Sequence, residues 1–214
     1  MFSVEGNIGA GKSQFINFAK QCLPDCTFVP EPLDEWRNVP SPDGKFINVF
    51  QLFGQDNAKY KFPFQLMTLT SHLSWHNKIQ HKTKFSMLER SYLSGANVFT
   101  LSQRNNKLIS ECEWAIYNHI LNTLLPKECN INGIIYLRTS PEKCLERLRL
   151  RNRDEENSVD LEYLKTLHEY HENWLNGLKN VLIIDNDTSR ESLNDYASQM
   201  KDVQSFMQQC AESS

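Results

Sequence analysis

Gly6, Asn7, Ile8, Gly9, Ala10, Gly11, Lys12 and Ser13 run in the pattern G-x-x-x-x-G-K-S/T. Glycines at these places let backbone N–H groups approach an anion closely, and the start of a following helix adds the positive end of its dipole. The chemistry served is the holding of a nucleotide's phosphates. Lys12 reaches the β and γ oxygens, and the Ser13 hydroxyl suits Mg²⁺ that bridges them. A bare tight turn is the competing reading. The context disfavours it, because a strand-like run precedes the loop and a helical segment, Gln14–Gln21, follows.

Such a loop does not by itself separate GTPases, ATPases and small-molecule kinases. A GTPase would carry N-K-x-D and D-x-x-G, yet Asn77-Lys78 and Asn106-Lys107 are both followed by other residues. The remaining reactive residues must decide. Glu31 lies between prolines in VPEPLDEW, which stiffens its backbone and suits a general base, a role worth ~10²–10⁴-fold in rate. An exposed loop glutamate is the plain alternative. Glu89-Arg90-Ser91 ends the apolar run Phe85–Leu88, and Asp185 ends Val181–Ile184. Either acid fits a Walker-B position, and a surface Glu–Arg ion pair would read the same way.

Gln65, Thr68 and His72 fall at i, i+3 and i+7 of a helix predicted over Phe62–Gln80, a polar line that could read a base edge or simply face solvent. Gln65 offers one donor and one acceptor side, and reversing the amide suits thymine or cytosine. Arg147, Arg149, Arg151 and Arg153 crowd the end of a helix starting at Pro141. They suit transferred-phosphate charge, although a helix C-terminus favours cations in any case. The pairs His72/His76 and His168/His171 have metal-like spacing but no third ligand nearby, so no zinc site is read from them.

Positioning these groups requires elements, and short apolar runs supply them. Phe2–Val4, Phe28–Val29, Phe85–Leu88, Ile134–Leu137 and Val181–Ile184 alternate with longer stretches of helical period, the signature of a parallel sheet covered by helices. Ligands then gather at the carboxyl ends of the strands, which is where the reactive residues stand. Val39–Lys45 (VPSPDGK) reads as a mobile loop, Asn152–Ser158 (NRDEENS) as a short lid, and Arg190–Gln208 as a final helix. At 214 residues, with 40% hydrophobic and 23% charged, the chain is expected to form a single globular domain over 1–214.

A net charge of −3 gives no global field toward nucleic acid or an anionic membrane, so no partner of either kind is expected and any anion site must be local. No apolar run is long enough to span a bilayer, and no signal or transit segment is read at the N-terminus. Cys22, Cys26, Cys112, Cys129, Cys144 and Cys210 read as reduced thiols of a cytoplasmic protein, with Cys26 and Cys144 packing as small apolar groups.

Taken in order, GNIGAGKS, EPLDEW at 31–36, PFQ at 63–65, ERS at 89–91, IIYLRTSPE at 134–142, RLRLRNRDEE at 147–156 and LEYLKTLHEYHENWL at 161–175 span nearly the whole chain. In these the chain resembles the deoxynucleoside kinases, the group of the deoxycytidine, mitochondrial thymidine and insect multisubstrate enzymes. The resemblance implies an α/β P-loop kinase fold, a three-layer sandwich with a five-stranded parallel sheet and an arginine-rich lid at about 147–157. It implies a homodimer that uses ATP and Mg²⁺ to phosphorylate the 5′-hydroxyl of a deoxynucleoside.

It also implies roles. Glu31 becomes the base, with Arg90 near the reacting hydroxyl and Lys12 on the phosphates. Glu89 joins Ser13 at the metal. Arg147, Arg151 and Arg153 lie on the donor phosphates, and Asp185 and Asp187 near the adenine. Glu156 holds the sugar 3′-hydroxyl, Phe99 stacks on the base, and Trp36, Phe64, Gln65 and Thr68 line its pocket.

Departures from the family pattern matter as well. His72 and Gly95 stand where the cytidine and purine branches carry Arg and Asp, which sets the pocket nearer the thymidine and multisubstrate branch, with thymidine and deoxycytidine the leading acceptors. Ala96 replaces a usual Arg. Gly54 replaces a Tyr that supports the 3′-hydroxyl, which predicts tolerance of 3′-modified nucleosides unless Tyr60 folds back. A thymidylate-type monophosphate kinase is the rival enzyme, and a nucleotide-binding module without turnover the rival of another class.

Overall fold

Along the first strand, Phe2 and Val4 face one side and Ser3 and Glu5 the other, the two-residue alternation of extended chain, and all four are buried. A strand buried on both faces belongs inside a sheet, and the computed structural model places it there. The structure describes residues 1–55, 58–79, 85–125, 131–188 and 193–212.

In chain order, β1 (Phe2–Glu5) leads through the glycine loop to α1 (Lys12–Cys22), β2 (Cys26–Val29) and α2 (Leu33–Arg37). A hairpin of β3 (Val39–Pro40) and β4 (Phe46–Ile47) precedes α3 (Val49–Gly54) and the long α4 (Lys61–Ile79). After β5 (Phe85–Glu89), α5 (Tyr92–Ser94) passes through a π-helical segment, Gly95–Phe99, into α6 (Thr100–Asn105). Then come α7 (Glu111–Leu124), β6 (Gly133–Arg138), α8 (Pro141–Arg151), a 3-10 turn at Asp154–Glu156, α9 (Leu161–Leu175), β7 (Val181–Asp185) and α10 (Leu193–Glu212).

The strands form one parallel sheet in the order β2-β5-β1-β6-β7, with Val4 opposite Glu89 on one side and Ile135 on the other. Side-chain alternation divides the packing into layers. Phe2, Val4, Met87, Ile135 and Leu137 meet Phe15 and Ile16 of α1 and Val203 and Met207 of α10. On the opposite face Ile134 and Tyr136 meet Leu175 of α9, and Val29 and Leu88 meet Trp75 of α4. Because β1 lies between β5 and β6, the chain leaves it in one direction first and returns to its other side later. The crevice at the carboxyl end of β1 is therefore the switch point where ligands collect.

The five apolar runs fall inside the five strands, and the helix predicted over 62–80 is α4, Gln80 lying outside the described residues. The segment predicted as a mobile loop, Val39–Lys45, is a hairpin arm and turn. Val39 pairs antiparallel with Ile47, and Ser41 N–H donates to the Lys45 carbonyl. Pro42-Asp43-Gly44 supplies the turn chemistry, with Gly44 at φ +82°. The last helix begins at Leu193 and runs to Glu212, past the predicted end; Arg190 and Cys129 lie outside the described residues. Cys144 is fully buried and Cys26 packs against the core. Among the described residues, no helix is long and apolar enough to cross a membrane.

Candidate active site

The glycine loop takes its shape from close approach. A Cβ on Gly6 would stand 2.7 Å from the Leu137 carbonyl oxygen, and one on Gly9 would stand 2.5 Å from that of Cys144. Both also have positive φ, so no other residue passes here without strain. Ala10 accepts at its carbonyl from Thr139, Arg147 and Asn186, which ties the loop to β6, α8 and the end of β7. Asn7 donates from Nδ2 to the Leu164 carbonyl of α9.

Lys12 turns back into the loop and donates to the Gly6 and Asn7 carbonyls at 3.3 and 2.8 Å. Burial, then the Arg90 charge, lowers its pKa to about 7, and Glu31 and Glu89 oppose that shift. A phosphate at the loop would restore the ammonium by adding the missing counter-charge.

Ser13 Oγ donates to Glu89 Oε1 at 2.5 Å, so a hydroxyl at the start of α1 meets the carboxylate at the end of β5. Two hard oxygen groups beside a phosphate loop fit Mg²⁺, which commonly takes one or two carboxylates and leaves its other positions to water and phosphate. Asp185, the other Walker-B candidate, is exposed, and its carboxylate accepts from Asp187 N–H.

Arg90 sits just past β5 at φ +65°, a conformation a non-glycine residue holds only when its surroundings impose it. Buried Glu5 does so from the next strand by accepting from both the backbone N–H and the hydroxyl of Ser91. Desolvation raises the Glu5 pKa, against the pull of Arg90. So held, Arg90 donates from Nε to Glu31 Oε1 at 3.1 Å, and its Cζ lies 4.6 Å from the centre of the Phe99 ring. Its Nη1 is shielded from solvent with no hydrogen-bond partner.

Glu31 and Arg90 open into the same cavity as Lys12 and Ser13, a space of about 790 Å³ running from the loop to an aromatic chamber. Trp36 of α2 donates from Nε1 to Ser71 and meets Phe64 edge-on at 5.5 Å. Phe50 stacks on Phe64 at 5.5 Å, and Phe53 lies 4.5 Å from it. Gln65 is buried, with Oε1 accepting from Thr100. Both His72 ring nitrogens are shielded and unpartnered, and burial lowers its pKa to about 4, so it faces the chamber neutral. Gly95 lines the wall 3.1 Å, as Cβ, from the Tyr117 hydroxyl.

The residues predicted for the site and found lining this cavity are Ile8, Gly9, Gly11, Lys12, Ser13, Glu31, Trp36, Phe64, Gln65, Thr68, His72, Glu89, Arg90, Gly95, Phe99, Arg147, Arg151, Arg153 and Glu156. Gly6, Asn7 and Ala10 shape the loop from behind. Asp185 and Asp187 are not brought to the cavity; Asp187 accepts from the Ser140 N–H at the start of α8. Arg147 reaches the wall but spends its guanidinium on the Ala10 and Asn186 carbonyls. Arg151 holds Glu156 through two hydrogen bonds, and Arg153 is 3.7 Å from the same carboxylate. Ala96 packs with the cluster around Leu69, Tyr92 and Tyr117 rather than lining the cavity, and Tyr60 is absent from the lining as well.

Sequence reasoning missed Phe50, Phe53, Lys61, Gln103, Tyr163 and Glu155, all on the cavity wall. Phe50 and Phe53 carry a usable signal in their i, i+3 spacing before PFQ. Buried Lys61 donates to the Phe53 carbonyl and lies 4.4 Å from its ring centre, a contact that no spacing announces.

The sequence model of the family described as deoxynucleoside kinase matches residues 2–212. Deoxycytidine kinase of Homo sapiens is 33% identical, with 96% of this chain and 90% of the relative covered. That of Mus musculus is 37% identical over 81% of this chain and 74% of the relative. Mitochondrial deoxyguanosine kinase of Xenopus laevis is 32% identical over 81% and 72%.

Proposed function

The chain belongs to the deoxynucleoside kinase family, and we propose that it moves the γ-phosphoryl group of ATP to the 5′-hydroxyl of a pyrimidine deoxynucleoside, thymidine and deoxycytidine being the leading acceptors. One observation carries this reading: the Glu31–Arg90 pair lies in a single cavity with the Lys12 loop on one side and the aromatic chamber on the other.

In this reading Glu31 takes the proton of the attacking hydroxyl, and Arg90 keeps the carboxylate in place while its free Nη1 donates to the incoming phosphoryl oxygens. Lys12 balances the donor's phosphate charge. Ser13 and Glu89 would hold Mg²⁺, which would supply charge neutralisation for the donor phosphates. Arg151 and Arg153 exchange their hold on Glu156 for phosphate, which frees that carboxylate for the sugar 3′-hydroxyl.

Pyrimidine preference rests on the chamber's base end. Neutral His72 offers one donor and one acceptor, Gln65 offers its amide, and Gly95 presents no carboxylate to an amino group. The homodimer rests on family analogy alone.

The test is ADP release with the four deoxynucleosides, their ribo counterparts, thymidine monophosphate and a 2′,3′-dideoxy pyrimidine. Thymidine and deoxycytidine should turn over fastest, with the dideoxy substrate retained. Turnover with the monophosphate alone would assign the chain to the rival class, and purine preference would overturn the reading of His72 and Gly95.

A further inference from the structure

The lid carries two adjacent glutamates with opposite attachments. Glu156 is paired with Arg151 and Arg153 from the α8 side. Glu155 turns the other way: its Oε1 accepts from Arg37 Nε at 2.7 Å and from Asn48 Nδ2 at 3.4 Å, and its Oε2 from Arg37 Nη2 at 3.3 Å. This two-pronged pairing fixes direction as well as distance. Its side chain is only 10% exposed, and the Arg37 hydrogen bond keeps its pKa below the usual glutamate value.

Asn48 is fixed in turn, because its Oδ1 caps α3 by accepting from Gln51 N–H. The far end of α3 adds a third contact. A Cβ on Gly54 would stand 2.5 Å from the Glu155 carbonyl oxygen and 3.4 Å from its carbon, so packing alone forbids a side chain there. The same two elements that grip the lid also wall the acceptor chamber. Arg37 follows Trp36 directly, and α3 carries Phe50 and Phe53, which pack on Phe64.

We propose that Arg37, Asn48 and Gly54 form a latch for the lid, positioning residues through which a nucleoside in the aromatic chamber holds Arg151, Arg153 and Glu156 in place for the phosphates. The proposal rests on the reading that one cavity takes both donor and acceptor. Its consequence is reciprocal: acceptor binding tightens the donor, and donor binding tightens the acceptor by the same factor.

Two measurements on the full chain test it. Hydrogen exchange at the Glu156, Asn157 and Val159 amides reads the closed lid turn without any turnover, since each donates within it. Arg37→Ala and Glu155→Gln should each speed that exchange about tenfold or more, and the swapped pair Arg37→Glu/Glu155→Arg should restore slow exchange. In the second measurement, thymidine should tighten a non-hydrolysable ATP analogue about fivefold or more in the wild type. In Arg37→Ala that factor should fall to about one while the analogue's affinity for the free protein stays within twofold.

Unchanged exchange in both single variants overturns the latch. Faster exchange with an undiminished thymidine factor overturns the coupling. If exchange responds but the wild type releases no ADP with any nucleoside, the latch stands and the proposed function falls.

Discussion

The two ends of the cavity are built in different ways. At the phosphate end, eight contiguous residues do the work with their backbone: Gly6, Gly9 and Gly11 have φ of +150°, +79° and +91°, and the loop rests against the carbonyls of Leu137 and Cys144. At the nucleoside end, side chains arrive from α2, α3, α4, the π-helical segment after β5 and the lid, from Glu31 to Glu156. An anion can be held by N–H groups and a helix dipole, which any sequence permitting the turn supplies. A nucleoside base needs shape and a donor–acceptor pattern, which only converging side chains provide. Generality therefore belongs to the first end and selectivity to the second.

That contrast can be broken most sharply at the junction. Glu31→Gln should lower kcat by about 10²–10⁴-fold while nucleoside affinity moves less than about threefold. Parallel losses in rate and binding would make Glu31 part of the nucleoside grip instead of a base. Lys12→Ala should cost about 10²–10³-fold in kcat/KM for ATP with the circular dichroism unchanged. Nucleoside affinity measured without ATP should stay constant, and a matching fall there would mean that the two ends are not separable.

The smallest effects are in pH, and they run in opposite directions. Burial holds His72 to about 4 and His171 to about 3, whereas a histidine in the unfolded chain titrates near 6.5. Between these values the unfolded chain binds more protons, so stability is lost as pH falls from 6.5 toward 4. The melting temperature should drop on going from pH 7 to 5, less steeply in His72→Phe. At the other end, Lys12 near 7 must be protonated to meet phosphate, so affinity for an ATP analogue should weaken as pH rises above 7. Lys12→Ala should remove that dependence, and its persistence would assign it elsewhere.

Legibility followed the same division. The strands were readable because each is a short apolar run in a sheet covered on both sides, and the phosphate loop because its requirements are local. The β3–β4 hairpin was not, since pairing Val39 with Ile47 depends on where two short arms meet as much as on the turn between them. The π-helical turn that sets Gly95 and Phe99 on the cavity wall left no sequence trace. Asp185 read as a possible Walker-B acid from its strand end, yet it is exposed and accepts from Asp187 N–H while Glu89 meets Ser13. Gly54 read as a missing hydroxyl, while in the fold it is the gap into which the Glu155 backbone fits.

What the amino-acid sequence determined by itself is the fold class and the phosphate loop, because these follow from periodicity and from contiguous residues. Family resemblance pointed to Glu89 rather than Asp185 beside Ser13, and the fold shows that contact; only the tertiary structure decided that Arg151 and Glu156 are partners and that Arg37 meets Glu155 across 118 positions. Those pairings depend on how strands are ordered and helices packed, a global balance of burial that no local spacing records.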